Sequence, residues 1–170
     1  EAGTNLTTGD SNTLIGYLAG EDIVGGGNNV AIGYETMKNE DGHGKNTAVG
    51  TQALFAQNAG ADAYNTAVGF QAGASTTTGI YNTFIGGLAG DALTDADNNV
   101  AVGRAALSTD TLGSCSVAIG RNALVTQNFT SATDSFNVAV GDRAGAAVTT
   151  GTNNTLIGGL SGDAITTGAQ

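Results

Sequence analysis

Small apolar and β-branched residues recur in a five-residue pattern, Asn-Thr/Val-x-Ile/Val-Gly, which is repeated nine times along the chain. Successive copies begin 17, 17, 19, 17, 17, 17, 21 and 17 residues apart. β-Branched residues favour strands, and the Gly-, Asn-, Asp- and Thr-rich stretches between the copies are typical of turns. The opening residues and closing glycines are Asn12 and Gly16, Asn29 and Gly33, Asn46 and Gly50, Asn65 and Gly69, Asn82 and Gly86, Asn99 and Gly103, Ser116 and Gly120, Asn137 and Gly141, and Asn154 and Gly158.

A unit of this length is too short for a helix pair or a propeller blade. Stacking one unit on the next, with strands ~4.8 Å apart, gives an all-β parallel β-solenoid of about nine coils. The opening asparagines should then form a ladder along the axis. The closing glycines fit a turn that needs a positive φ.

A longer period is superimposed on the first. The two stretched spacings each follow the third coil of a set of four, so that residues 12–81 and 82–153 form equivalent four-coil groups. Thr77-Thr78-Gly79 matches Thr149-Thr150-Gly151 in this alignment. We therefore expect residues 1–170 to be a single array, with partial groups at 1–11 and 154–170, cut from a longer repeat protein.

Both faces of the predicted strands are apolar, whereas a thin coil has only one interior. The middle position of the strands is mostly alanine, which permits close approach of another backbone. This alanine column predicts self-association, most simply a homotrimer with the column at its centre. Its members are Leu14, Ala31, Ala48, Ala67, Phe84, Ala101, Ala118, Ala139 and Leu156.

Composition narrows the classes of function. Fifteen acidic residues against five basic ones give a formal net charge of −10, which argues against nucleic acid as a partner. No apolar run approaches the ~20 residues of a membrane span, so no membrane insertion of this segment is expected. With one cysteine, an internal disulfide framework is excluded.

Three copies of the repeat resemble the Ser-Val-Ala-Ile-Gly head repeats of trimeric autotransporter adhesins: Val30-Ala31-Ile32-Gly33, Val100-Ala101-Val102-Gly103 and Ser116-Val117-Ala118-Ile119-Gly120. The Thr-Thr-Gly-containing units are similar to repeats of bacteriophage tail-fibre proteins. The resemblance implies a left-handed β-roll, a homotrimer, and a non-catalytic structural or adhesive segment of an extracellular fibre. It also implies a location on a cell surface or virion and a host-surface glycan or protein receptor as partner.

No catalytic, cofactor-binding or metal site is predicted. Gly42-His43-Gly44-Lys45-Asn46-Thr47 lacks the first glycine and the Ser/Thr directly after lysine that a phosphate loop requires. His43, the single histidine, is expected to be a solvent-exposed loop residue. Cys115 is interpreted as a tolerated small side chain.

Charged residues also admit two interpretations each. Asp95, Asp97 and Asn99 have the spacing of the first half of a calcium loop, but its glycine and terminal glutamate are absent, which favours solubilising loop charge. Arg121 and Asp142 follow strand glycines in adjacent coils, where an ion ladder is favoured over a ligand contact.

Two other functional classes remain open. An ice-binding solenoid also displays flat threonine arrays, although valines interrupt the column here. An acyltransferase β-helix has an 18-residue, hexapeptide-based coil, which the observed spacings do not keep. The aligned threonines are Thr13, Thr47, Thr66, Thr83 and Thr155.

Overall fold

The computed structural model describes residues 1–168 and contains strands but no helix within that range. Nine three-residue strands form one parallel sheet and pair in register, as in Thr13 with Val30, which confirms a parallel β-solenoid of nine coils. The strands are β1 (Thr13–Ile15), β2 (Val30–Ile32), β3 (Thr47–Val49), β4 (Thr66–Val68), β5 (Thr83–Ile85), β6 (Val100–Val102), β7 (Gly113–Ser114), β8 (Val117–Ile119), β9 (Thr133–Asp134), β10 (Val138–Val140) and β11 (Thr155–Ile157).

Two of the strands lie outside the main sheet and were not expected from the repeat. β7 and β9 pair in parallel as a separate two-stranded sheet, with Gly113 opposite Thr133. They lie in the connections that follow β6 and β8, the second of which belongs to the 21-residue spacing. The long connection thus pairs with the preceding 17-residue connection. Ala169 and Gln170, at the end of the partial group expected at 154–170, lie outside the described residues.

The alanine column is not an intermolecular seam, and the expectation that it faces neighbouring chains is wrong. Ala31, Ala67 and Ala118 have no exposed surface within the single chain. They belong to the chain's own hydrophobic core, together with Leu54 and Leu107 from the turns that follow the strands. The small alanine side chain allows close approach of the opposite wall of the same coil, not of a second molecule.

In most coils, a large core side chain at one of two positions is matched by a small side chain at the other. Where the strand carries a large residue, the position six residues on is glycine, as with Phe84 and Gly90. A Cβ on Gly90 would come within 2.5 Å of the Phe84 ring. Where the strand carries alanine, that position often holds a large buried residue, as with Ala48 and Leu54. This compensation holds in seven of the nine coils, and the other two coils are small at both positions.

The opening asparagines form the expected ladder, but chiefly through bonds to backbone. Asn29 Oδ1 accepts a hydrogen bond of 3.0 Å from the backbone N–H of Asn46 in the next coil. Asn29 Nδ2 donates to the His43 carbonyl of its own coil, at 3.2 Å. Each such side-chain amide therefore bonds the next coil through its oxygen and its own coil through its nitrogen. A direct amide–amide bond joins Asn154 to Asn137.

The closing glycines do adopt positive φ, from 123° at Gly158 to 142° at Gly69. A Cβ on Gly16 would collide with the backbone of Gly33 in the next coil. Many residues other than glycine also adopt left-handed conformations, which the repeat pattern does not predict. Leu54 and Tyr64, with φ of 49° and 53°, are examples. The frequent sharp turns keep each coil short.

Candidate functional site

The outward face of the nine-stranded sheet is one of two features with functional potential. We define it as the first and third residues of each strand, which are Thr or Val and Ile or Val throughout. None of these residues is charged and none is buried, and Ile15 and Ile157 are the most exposed of the isoleucines and valines. The result is a continuous β-branched surface along the solenoid.

Aromatic side chains border this outward face on both edges. Tyr17 and Tyr34 stack along one edge with ring centroids 5.8 Å apart. Tyr64 and Tyr81 stack along the other edge at 5.6 Å. All four rings are about half exposed. Because soluble monomers rarely display a large continuous apolar patch, this surface is a candidate interface.

Ion pairs also lie at the borders of the face. Arg121 Nε and Nη2 donate to the two carboxylate oxygens of Asp142 at 2.7 and 3.0 Å, which confirms the predicted ion ladder for this pair. These hydrogen bonds raise the pKa of Arg121 and lower that of Asp142. Lys45 Nζ similarly lies 2.6 Å from an Asp62 oxygen. The borders therefore carry little uncompensated charge at these points.

The second feature is a buried column on the inner side of the turns, eleven residues after each opening residue. Eight of its nine side chains, five polar or charged and three apolar, have no exposed surface, and the apolar members identify the column as core. We call it the polar column because its acids and amides lie among apolar residues. Its members are Ile23, Glu40, Gln57, Thr76, Leu93, Asp110, Gln127, Val148 and Ile165.

Asp110 is the better-satisfied acid of the polar column. Its Oδ1 accepts hydrogen bonds from the backbone N–H of Gly113 at 3.1 Å and of Phe129 at 3.0 Å. Its Oδ2 accepts a bond of 2.6 Å from Gln127 Nε2. Gln127 also bonds Ser116 and Asn137. This acid is the hub of a buried network.

Glu40 is the equivalent acid one four-coil group earlier, and its network is incomplete. Its Oε1 accepts a bond of 3.2 Å from the His43 backbone N–H, the counterpart of the Asp110–Gly113 bond. Its buried Oε2 finds no partner among the described residues. Gln57, the counterpart of Gln127, donates to the Thr77 carbonyl instead. Burial raises the pKa of Glu40 to about 7.

His43 is half buried, so the expectation of a solvent-exposed loop residue is corrected. Its Nδ1 is buried and has no hydrogen-bond partner within residues 1–168. One ligand atom each from Glu40, Asp41 and His43 lie within 4.8 Å of one another. In the 17-residue coils the position of His43 otherwise holds glycine or alanine, such as Gly79 and Ala96. An imidazole therefore stands where the repeat normally has almost no side chain.

The other residues singled out in the sequence have structural contacts. Asp95 accepts a bond of 2.7 Å from Thr78, and Asp97 accepts one of 2.8 Å from the Ile80 backbone, so both acids join adjacent coils. Cys115 is half buried, with its sulfur 3.8 Å from an Asp134 oxygen, and burial raises the pKa of its thiol.

Sequence reasoning missed Glu40, although a usable signal was present. Aligning the nine coils on their opening residues puts Glu40 and Asp110 in one column with Ile23, Leu93 and Val148. A carboxylate in an otherwise apolar column must be buried and needs a partner. The partner itself depends on how the stretched connections fold, which the repeat does not specify.

No helix suited to crossing a membrane occurs in the described part of the chain. Comparison of the chain with protein-family models, with curated proteins and with solved structures gives no match.

Proposed function

We propose that the chain is a non-catalytic structural and adhesive segment of an extracellular fibre, a rigid rod that spaces or presents a receptor-binding region. The observation that carries this proposal is the outward face, an uncharged β-branched surface along the whole solenoid. The rod is a left-handed homotrimer in which this face, and not the alanine column, lies between the copies.

The dimensions of the outward face suit an interface between copies. Nine strands at ~4.8 Å give a length of roughly 40 Å, and four side-chain columns, two of them at the borders, give a width of about 20 Å. The product of about 800 Å² is the surface that each chain can share between its neighbours, and it matches the contribution of one partner to a standard stable interface. The number three is taken from the resemblance to the trimeric adhesin heads.

Charge favours a second copy over an acidic partner or a basic one. Each chain has a net charge of −10, so two copies repel one another through most of their surfaces. The outward face has no charged residue among the described strands, and Asp142 at its border is paired with Arg121. Association through this face therefore brings the fewest like charges together.

Two substitutions in strand β4 separate assembly from folding. Val68 is exposed on the outward face, whereas the adjacent Ala67 is fully buried in the chain. Val68→Glu should give a folded monomer, because a charge in a dry seam prevents association. Ala67→Glu should unfold the chain. Sedimentation equilibrium with circular dichroism distinguishes these states, and a wild-type chain that is a stable folded monomer of 16.6 kDa contradicts the proposal.

Ice binding is a second candidate, favoured by the regularity of the same face. Threonine and valine side chains have nearly the same shape. The column is therefore still a flat array with one β-branched residue per coil, although valines interrupt the threonines. Thermal hysteresis in a monomeric wild-type chain, abolished by Val68→Glu, would favour this function over the fibre. Trimerisation without thermal hysteresis would favour the fibre.

A further inference from the structure

We propose that Glu40, Asp41 and His43 form a binding site for a divalent transition-metal ion, with zinc as the best-fitting ion. The three residues lie in one short connection between β2 and β3, and their ligand atoms are within 4.8 Å of one another. The fibre function proposed above neither requires nor explains this site.

Two unpaired buried atoms point to a ligand. Glu40 has no exposed surface, and its Oε2 lacks a hydrogen-bond partner among residues 1–168. The Nδ1 atom of His43 is likewise buried and without a partner there. Leaving one buried polar group unsatisfied costs about 1–3 kcal/mol, and two such groups in one connection are rarely tolerated. A cation between them would satisfy both.

The backbone already fixes the buried carboxylate in position. Glu40 Oε1 accepts a hydrogen bond from the His43 backbone N–H, which ties the carboxylate to the residue that carries the imidazole. The His43 carbonyl accepts from Asn29 Nδ2 at 3.2 Å, and this bond ties the same residue to the asparagine ladder. Asp41 is exposed and free to rotate toward the other two ligands.

The donor set selects the kind of ion. One imidazole nitrogen and two carboxylate oxygens suit zinc and its neighbours, whereas calcium prefers six to eight oxygen ligands. Ligand atoms around a tetrahedral zinc lie roughly 3.3 Å apart, so small rotations of Asp41 and His43 complete the site. Three protein ligands leave one position for water.

The test is isothermal titration calorimetry of the full chain with zinc chloride, after treatment with a chelator. We expect one zinc per chain and a higher melting temperature with zinc, because the ion binds only the folded connection. His43→Ala should weaken binding at least about tenfold. Since Ala96 occupies the equivalent position of another coil, this variant should fold normally, and circular dichroism checks that it does.

Cobalt(II) gives an independent measurement, because its visible spectrum reports the ligand set and should change when His43 is replaced. Asp95→Asn is the matched control, since Asp95 is an acid in an equivalent connection bonded to Thr78, and it should leave zinc affinity unchanged. Absence of zinc binding up to millimolar concentration overturns the proposal. Binding that is unaffected by both His43→Ala and Glu40→Gln also overturns it.

Discussion

The two four-coil groups share their period and their hydrophobic core, yet treat a buried acid differently. In the second group Asp110 has partners on both oxygens, one from Gln127 and two from backbone N–H groups. In the first group Glu40 has one backbone partner, and its second oxygen is left unpaired among the described residues. The repeat therefore preserves the apolar packing of the core closely, but it does not preserve the hydrogen bonds of the buried acids to the same degree.

The difference coincides with a difference in the length of the stretched connection. The 21-residue spacing brings the Phe129 N–H onto Asp110 and orients Gln127 toward it. Among the described residues, the 19-residue spacing provides no corresponding backbone donor, and Gln57 donates to the Thr77 carbonyl. Apolar packing depends on volume and shape but aligns no donor with an acceptor, so it tolerates the change of two residues. Hydrogen bonds depend on direction as well and do not.

The largest effect is expected from deletions that test whether the groups are interchangeable. Deleting residues 82–153 joins Tyr81 to Asn154 at the start of an equivalent coil, so the chain should fold as a rod about four coils shorter. Deleting residues 94–102 removes about half a coil and should abolish folding. Circular dichroism and small-angle scattering measure both. Unfolding of the first variant together with retention of the second would contradict the equivalence.

A core exchange is expected to have the next largest effect. Phe84→Ala should cost about 3–5 kcal/mol of unfolding free energy, because it empties the largest side chain of the core. Adding Gly90→Leu should recover at least half of that loss. Leu54 already has a left-handed φ of 49° at the equivalent position, and Gly90 has 58°. Urea denaturation of the two variants measures the recovery, and an additive or larger loss in the double variant argues against compensation.

Much of this core was predictable from the sequence, but the prediction that its alanine column forms an intermolecular interface was wrong. The nine strands and the positive φ of the closing glycines follow from the repeat. The position of Ala118 inside its own coil does not, because strand alternation separates two faces without saying which one the chain encloses. The same limit applies to Glu40: its column could be found by alignment, whereas the lost contact with Gln57 depends on the fold of one connection.

The difference between the two acids leads to a matched pair of substitutions. Asp110→Ala removes the centre of the buried network and leaves the Gly113 and Phe129 N–H groups without an acceptor. It should therefore lower the free energy of unfolding by about 3 kcal/mol. Glu40→Ala removes a carboxylate that has one backbone bond, and should cost about 1 kcal/mol or less in metal-free buffer. Urea denaturation in the presence of a chelator measures both. Equal losses would mean that Glu40 has a full set of partners in solution.

The smallest effect is expected from transplanting a polar pair between the stretched coils. Asn46 Nδ2 is buried and unpaired within the described chain, while its Oδ1 accepts from the Asn65 N–H at 3.0 Å. The second group has Ser116 instead, whose hydroxyl lies 2.5 Å from that of Ser135. The residue equivalent to Ser135 in the first group is Ala63.

Asn46→Ser alone should therefore cost about 1 kcal/mol, because the Asn65 N–H loses its acceptor. Adding Ala63→Ser supplies a hydroxyl in the position of Ser135, which accepts from the Asn137 N–H at 3.4 Å. The double variant should match or exceed the stability of the wild type, since it also removes the unpaired amide. Thermal and urea denaturation measure the difference. If the double variant is no more stable than Asn46→Ser, the two connections fold differently at this corner, and the equivalence of the groups ends at the hydrophobic core.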